Sequence, residues 1–267
     1  MSQETIIHPS AIIAPGAVIG EGCRIGPFCV VGEHVTLGRG VTVRSHAVLE
    51  GKLTVGDEAE IFPFASVGQK TQDLKYRGGV GTVTIGARTV LREYVSVHQP
   101  TEEDGLTRVG DDCAILAYCH IAHDCRLGNH VIMSNLSQLA GHVTVGHHVV
   151  MGGMSGVHQF CKIGDYSMIG GAARQIMDAV PFSILEGSPS APRAINKINL
   201  QRNGFSEAAI RNITTAYKIV FKSNLSAQDA VAKLRADFPG DEHVETFAAF
   251  IESSERGIAR PAVKKNL

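Results

Sequence analysis

The stretch Ile7-His8-Pro9-Ser10-Ala11-Ile12-Ile13-Ala14-Pro15-Gly16-Ala17-Val18-Ile19-Gly20-Glu21-Gly22-Cys23-Arg24-Ile25-Gly26 decides the fold. Every sixth residue from Ile7 is isoleucine here, and the same phase runs on through Val31, Leu37, Val43, Leu49, Val55, Ile61 and Val67. It resumes at Ile85, Leu91 and Val97, and again from Val109 through Ile115, Ile121, Leu127, Met133, Leu139, Val145, Met151, Val157 and Ile163 to Ile169. Only Asp73, Gly79 and Glu103 interrupt it. Six is a multiple of the two-residue strand repeat and not of the 3.6-residue helical turn. Side chains in this phase therefore share one face of extended segments, which excludes helix over the region.

Four residues after each aliphatic slot stands a small side chain or valine, as at Ala11, Ala17, Val35, Val41, Ala59, Ala65, Val143 and Ser155. Even parity turns it to the same inward face. All six cysteines, Cys23, Cys29, Cys113, Cys119, Cys125 and Cys161, occupy this position, so they read as core packing rather than as a disulfide framework or a zinc site. The residue just after the slot is often glycine (Gly20, Gly38, Gly86, Gly110, Gly128), read as a corner that needs permissive backbone angles. Each hexapeptide is then a short strand plus a corner, and stacked units of this kind form a parallel β-helix. The repeat resembles that of the left-handed hexapeptide β-helix family. That resemblance implies the hand and three strands per coil, hence 18 residues per coil and a prism on the order of 45 Å long at ~4.8 Å per stacked strand.

Lysines and arginines number 25 against 26 aspartates and glutamates, giving a formal charge of −1 and none of the basic surplus that draws a chain to nucleic acid. The amino terminus has no basic and apolar leader, and no apolar run approaches the ~20 residues of a membrane span, so a cytoplasmic protein is expected.

Two insertions leave the repeat, near 68–84 and 98–108. The first carries Gln72, Asp73 and Lys75 around the apolar Leu74, a polarity that a solvent loop does not require. The second is acidic, with Glu102, Glu103 and Asp104, and reads as a solvated surface loop. After about Gln175 the rhythm stops. A β-helical domain over 1–190 and an α-helical carboxyl-terminal domain over 191–267 are expected. Ser206 caps a helix with Ile210, Ile213, Tyr217 and Val220 on its inner face, Ser226 to Asp229 form a capping box, and a third helix spans Val244 to Ser254.

With 18 residues per coil, Ala122, Ala140 and His158 stand in one column, His123, Gly141 and Gln159 in the next, and Asp124, His142 and Phe160 in a third, with His120 just before them. An imidazole on a rigid edge, with a glycine making room beside it, can act as base on a bound hydroxyl. A zinc site built from the histidines is the alternative.

The segments His120-Ile121-Ala122-His123-Asp124-Cys125, Leu139-Ala140-Gly141-His142-Val143, Gly156-Val157-His158-Gln159-Phe160-Cys161 and Gln72-Asp73-Leu74-Lys75-Tyr76 resemble those of the UDP-N-acetylglucosamine O-acyltransferases that open lipid A biosynthesis. The likeness covers nearly the whole chain. It implies a homotrimer with sites between adjacent prisms, acyl carrier protein as donor, UDP-N-acetylglucosamine as acceptor, and no cofactor or metal. His123 would be the general base with Asp124 orienting it. Gln72, Asp73, Lys75, His120, Gly141, His142, His158, Gln159, Asn196 and Arg202 would serve the sugar nucleotide, and Gly171 would set acyl length. Where the family often reads Arg-Arg-Gly-Phe this chain has Arg202-Asn203-Gly204-Phe205, and Ile198 stands near a position that is acidic in the family. A related transferase using a 3-amino sugar nucleotide or an acyl-CoA donor is the alternative.

Overall fold

The computed structural model describes residues 4–79 and 81–261. Two- to four-residue strands from Ile6–Ile7 to Arg174–Gln175 wind into three parallel sheets of 11, nine and eight strands, here the first, second and third faces. The 11-stranded face includes two later strands, described below. Within a face, residues 18 apart pair, as Ile25 with Val43 and Ile121 with Leu139. Val55 instead pairs with Ile85, and Ile85 with Val109, so the two insertions add 12 and six residues. Both are whole multiples of the repeat, which is why the six-residue phase survives them.

The aliphatic slots form the core: Val31, Leu49, Ile61, Leu91, Ile115, Ile121, Met133 and Leu139 are fully buried. Each such side chain stabilises by about 1.5–3 kcal/mol relative to exposure. All six cysteines are free and buried. The thiols of Cys23, Cys29, Cys113, Cys119 and Cys125 donate to carbonyls of the next coil, Cys29 to Arg44 O at 2.8 Å and Cys125 to Ala140 O at 3.1 Å. Burial pushes the Cys113 thiol up to about 11 and that of Cys125 to about 12.

The glycines after the slots have a different cause from the one expected. None of Gly20, Gly38, Gly86, Gly110 and Gly128 has positive φ. A Cβ at Gly86 would come within 3.0 Å of the Gly110 backbone, and one at Gly110 within 3.0 Å of the Gly128 carbonyl. Glycine is required there because successive coils touch backbone to backbone. The left-handed conformation falls three residues after the slot instead, on Phe28, His46, Phe64, Tyr94, Tyr118, Asp124, His142 and Phe160 among others. Each costs roughly 1 kcal/mol, and side-chain stacking along the prism edges offsets it: Phe64, Tyr94 and Tyr118 stack at centroid distances of 5.0 and 4.8 Å.

The prism ends in an antiparallel hairpin, Ser183–Gly187 with Ser190–Ile195, whose first strand pairs with Met168–Ile169 of the first face. The second hairpin strand crosses the expected domain boundary at 190. Val180, Phe182 and Ile195 also belong to the helical core with Ile213, Val220, Leu234 and Phe247, so the helical unit begins before 191. Helices follow: α1 (Lys197–Arg202), α2 (Glu207–Lys222), α3 (Ala227–Asp237) and α4 (Glu242–Glu252). Ser206 and Ser226 cap α2 and α3 as expected, accepting from Ala209 N and Asp229 N. The third expected helix starts earlier, because Asp241 caps it by accepting from His243 N and Val244 N. Arg256 to Ala259 fold back on the prism through Arg256 Nε to Ile176 O at 2.8 Å and Ala259 N to Asp178 O at 2.7 Å.

Candidate active site

The expected columns meet at the edge where the chain passes from the second to the third face. His123 and Asp124 follow strand His120–Ile121, Gly141 and His142 follow Gln138–Leu139, and His158 and Gln159 follow Gly156–Val157. Strand pairing at Ile121, Leu139 and Val157 sets their register. His142 stacks on Phe160 at 4.5 Å and meets His123 edge-on at 5.1 Å.

His123 Nδ1 lies 2.9 Å from Asp124 Oδ2, and the two side chains are 15% and 13% exposed. Thr101 donates to the same oxygen from its backbone N–H at 3.1 Å and its hydroxyl at 2.8 Å. Asp124 N donates to Thr107 Oγ1 at 2.8 Å. Burial works to raise the Asp124 carboxyl, but hydrogen bonds from His123 and Thr101 outweigh it and hold the group below the usual carboxylate range. An ionised carboxylate accepts only, so the His123 proton sits on Nδ1 and the Nε2 lone pair is free. Nε2 is 3.9 Å from Asp73 Oδ2. A Cβ at position 141 would fall within 3.0 Å of His123 Cε1 and Nε2, so only glycine leaves the ring its place.

A cavity of about 470 Å³ opens here, lined by Asp73, Lys75, Tyr76, Arg77, Thr101, Glu102, His123, His142, Gln159 and Phe160 among others. Asp73 is shaped by its own loop: its N–H donates to Thr71 Oγ1 at 3.1 Å and its Oδ1 accepts from Lys75 N at 2.8 Å. Gln72 is exposed on the same loop. His120 accompanies the site from the strand, its Nδ1 2.8 Å from Ser96 Oγ and its ring edge-on to His98 at 4.8 Å. Burial first, then the neighbouring His98 and His123, push His120 down to about 4, so it is neutral at physiological pH. His158 is exposed and takes Arg256 Nη2 at 2.9 Å on its Nδ1.

The second insertion is not a free solvent loop. Thr101 holds Asp124 and Glu102 lines the cavity, and neither was legible as a site residue in an acidic, unpatterned segment. Thr107 carried no distinguishing signal, because the same inward slot also holds Thr89, Ser137, Ser155 and Ser167.

Three expected site residues lie apart. Asn196 and Arg202 line a separate cavity of about 880 Å³ between the first face, α1 and α2, with Ile198, Tyr217, Lys197, Lys218 and Lys222. Asn203 is engaged within α1, its Nδ2 donating to Asn199 O at 2.9 Å. Gly171 is on the edge between the first and second faces, where a Cβ would meet only Gly153 O at 3.5 Å.

His123, Asp124 and His142 offer ligand atoms all within 4.8 Å of one another, a spacing a metal ion can use. The Asp124 oxygen facing the histidines already takes three hydrogen bonds, and a cation there would have to displace them.

Residues 178–259 match the family described as Udp N-acetylglucosamine O-acyltransferase, Domain 2, and residues 2–33 and 16–51 match the bacterial transferase hexapeptide. A curated relative from Paraburkholderia xenovorans, acyl-[acyl-carrier-protein]–UDP-N-acetylglucosamine O-acyltransferase, is 47% identical over 77% of this chain and 80% of its own length. The solved structure of LpxA from Acinetobacter baumannii superposes with a TM-score of 0.93 at 42% identity, over 96% of this chain and all of that one. That of UDP-N-acetylglucosamine O-acyltransferase from Moraxella catarrhalis gives 0.92 at 36%, over 95% and 99%. A left-handed parallel β-helix with this helical appendage, matched along nearly its whole length, places the chain in the UDP-N-acetylglucosamine O-acyltransferase family.

Proposed function

We propose that the protein transfers a fatty acyl group, in its 3-hydroxy form, from acyl carrier protein to the 3-hydroxyl of UDP-N-acetylglucosamine, the first step of lipid A biosynthesis. The observation that carries this reading is the His123 ring, held on Nδ1 by Asp124 and bare on Nε2 toward the cavity. Nε2 takes the hydroxyl proton as the oxygen attacks the thioester carbonyl, and Asp124 stabilises the imidazolium. Collapse of the tetrahedral intermediate breaks the C–S bond, and the proton passes from Nε2 to the departing sulfur. Asp73, Lys75, Gly141, His142, His158 and Gln159 hold the sugar nucleotide around that nitrogen, with Gln72 and His120 at its margin.

The separation of Asn196 and Arg202 from His123 supports a homotrimer in which a partner's nucleotide cavity faces each His123 edge. Gly171 of a neighbouring prism would then lie along the acyl chain. Reaction in the cytoplasm fits six cysteines kept as free thiols.

Mass spectrometry of wild type beside His123→Ala, given UDP-N-acetylglucosamine and a 3-hydroxyacyl carrier series, tests the chemistry. Wild type yields a monoacylated sugar nucleotide and the variant is slower by about 10²–10⁴-fold. Equal rates would remove His123 from the mechanism. No product at any chain length would overturn the O-acyl reading in favour of a 3-amino acceptor or a CoA donor. Mixing His123→Ala with Arg202→Ala subunits restores activity if sites form between copies, and restores none if each chain is self-contained.

A further inference from the structure

We propose that Thr101 is a positioning residue for acyl transfer: it seats the Asp124 carboxylate so that His123 keeps its proton on Nδ1 and presents Nε2 to the acceptor hydroxyl. This rests on the role of His123 proposed above.

The 99–105 loop is built around that carboxylate. Thr101 places two donors, N–H at 3.1 Å and Oγ1–H at 2.8 Å, on Asp124 Oδ2, the oxygen that also meets His123 Nδ1. On the other side a Cβ at Gly105 would stand 3.1 Å from Asp124 Oδ1, so the loop closes on the group without crowding it. The loop is itself anchored: Gln99 N donates to Gln69 O at 2.9 Å, Gly105 N to Glu102 O at 3.0 Å, and Thr82 N to Gly105 O at 3.0 Å. The Asp124 backbone, at φ 61°, is pinned by its N–H to Thr107 Oγ1.

This seat has two consequences. A carboxylate held by three donors on one oxygen cannot rotate away from the imidazole, so the tautomer is fixed before substrate arrives. The hydroxyl also draws charge from Oδ2. Without it, more negative charge faces Nδ1–H and the imidazolium is favoured over the free base. Asp73, Lys75, Arg77, Glu102 and His142 line the same cavity, and His98 and His120 are close enough to couple to His123. Thr101→Val leaves all of these and the Thr101 N–H in place.

The test compares wild type, Thr101→Ser and Thr101→Val by acyl-transfer kinetics across pH, thermal unfolding and NMR titration of the His123 ring nitrogens. The valine variant is expected to fold and lose about ten-fold in kcat, with KM for the sugar nucleotide changed less than about two-fold. Its acidic limb moves to higher pH, and serine restores both. A folded valine variant with wild-type kcat and limb would overturn the proposal, as would equal losses in serine and valine that track lowered stability. Should the wild type transfer no acyl group, the functional reading fails alone. The NMR titration still decides: an unchanged His123 pKa and tautomer in Thr101→Val would overturn the seat itself.

Discussion

Gly141→Ala isolates the space beside the base. The added methyl carbon would lie within 3.0 Å of His123 Cε1 and Nε2 and 3.0 Å from Nδ1. Carbon contacts settle at about 3.5–4.0 Å, so the ring must retreat by on the order of 1 Å or swing off Asp124 Oδ2. Displacement of that size at a reacting group costs about 10²-fold in rate, equivalent to roughly 2.7 kcal/mol of transition-state stabilisation. Stability changes far less, because the residue sits at a corner and the strain is relieved by one side chain. The assay is steady-state acyl transfer with thermal unfolding alongside, and the expected signature is a large fall in kcat with a melting temperature close to wild type. A folded Gly141→Ala enzyme within three-fold of wild-type kcat would refute the claim that this glycine exists to seat His123.

His120 is held near 4 in the folded protein against 6.5 unfolded, so as pH falls from about 6.5 toward 4 the unfolded chain takes up a proton that the folded one refuses. Stability should decline over that window and the decline should flatten in His120→Asn, as read by urea unfolding at several pH values; a variant profile parallel to wild type would contradict this. Gly110→Ala drives a Cβ into the Gly128 carbonyl, a backbone clash between coils, and should destabilise by more than the ~1 kcal/mol typical of a point substitution. A melting temperature unchanged in that variant would sink the backbone-contact account of these glycines. Gly171→Met should shift donor preference to shorter acyl chains in a carrier-protein series, and an unshifted preference would remove Gly171 from the acyl path.

The hexapeptide phase was legible because burial in this fold is local and periodic. A side chain at slots such as Ile121 or Leu139 faces the axis whatever the rest of the molecule does, and the cysteines follow the same rule at the neighbouring inward position. Helices α2 and α3 were legible because their caps and apolar faces are encoded within a few residues. The His123, Gly141 and Gln159 column followed once resemblance to the hexapeptide family had supplied the 18-residue coil, which turns sequence spacing into distance. The amino-acid chain alone did not disclose why glycine follows the slots, because spacing cannot distinguish a dihedral requirement from a backbone approaching out of the next coil. Nor did it disclose that Thr101 reaches Asp124: an insertion has no period, and its partner is chosen by how the loop folds back. The hairpin that carries residues 183–195 across the expected boundary, and the distance between Arg202 and His123, are likewise products of packing between the prism and its helical end. Repetition made the interior of this protein readable from its sequence, whereas the edges, where aperiodic loops meet the repeat, were decided only when the chain closed on itself.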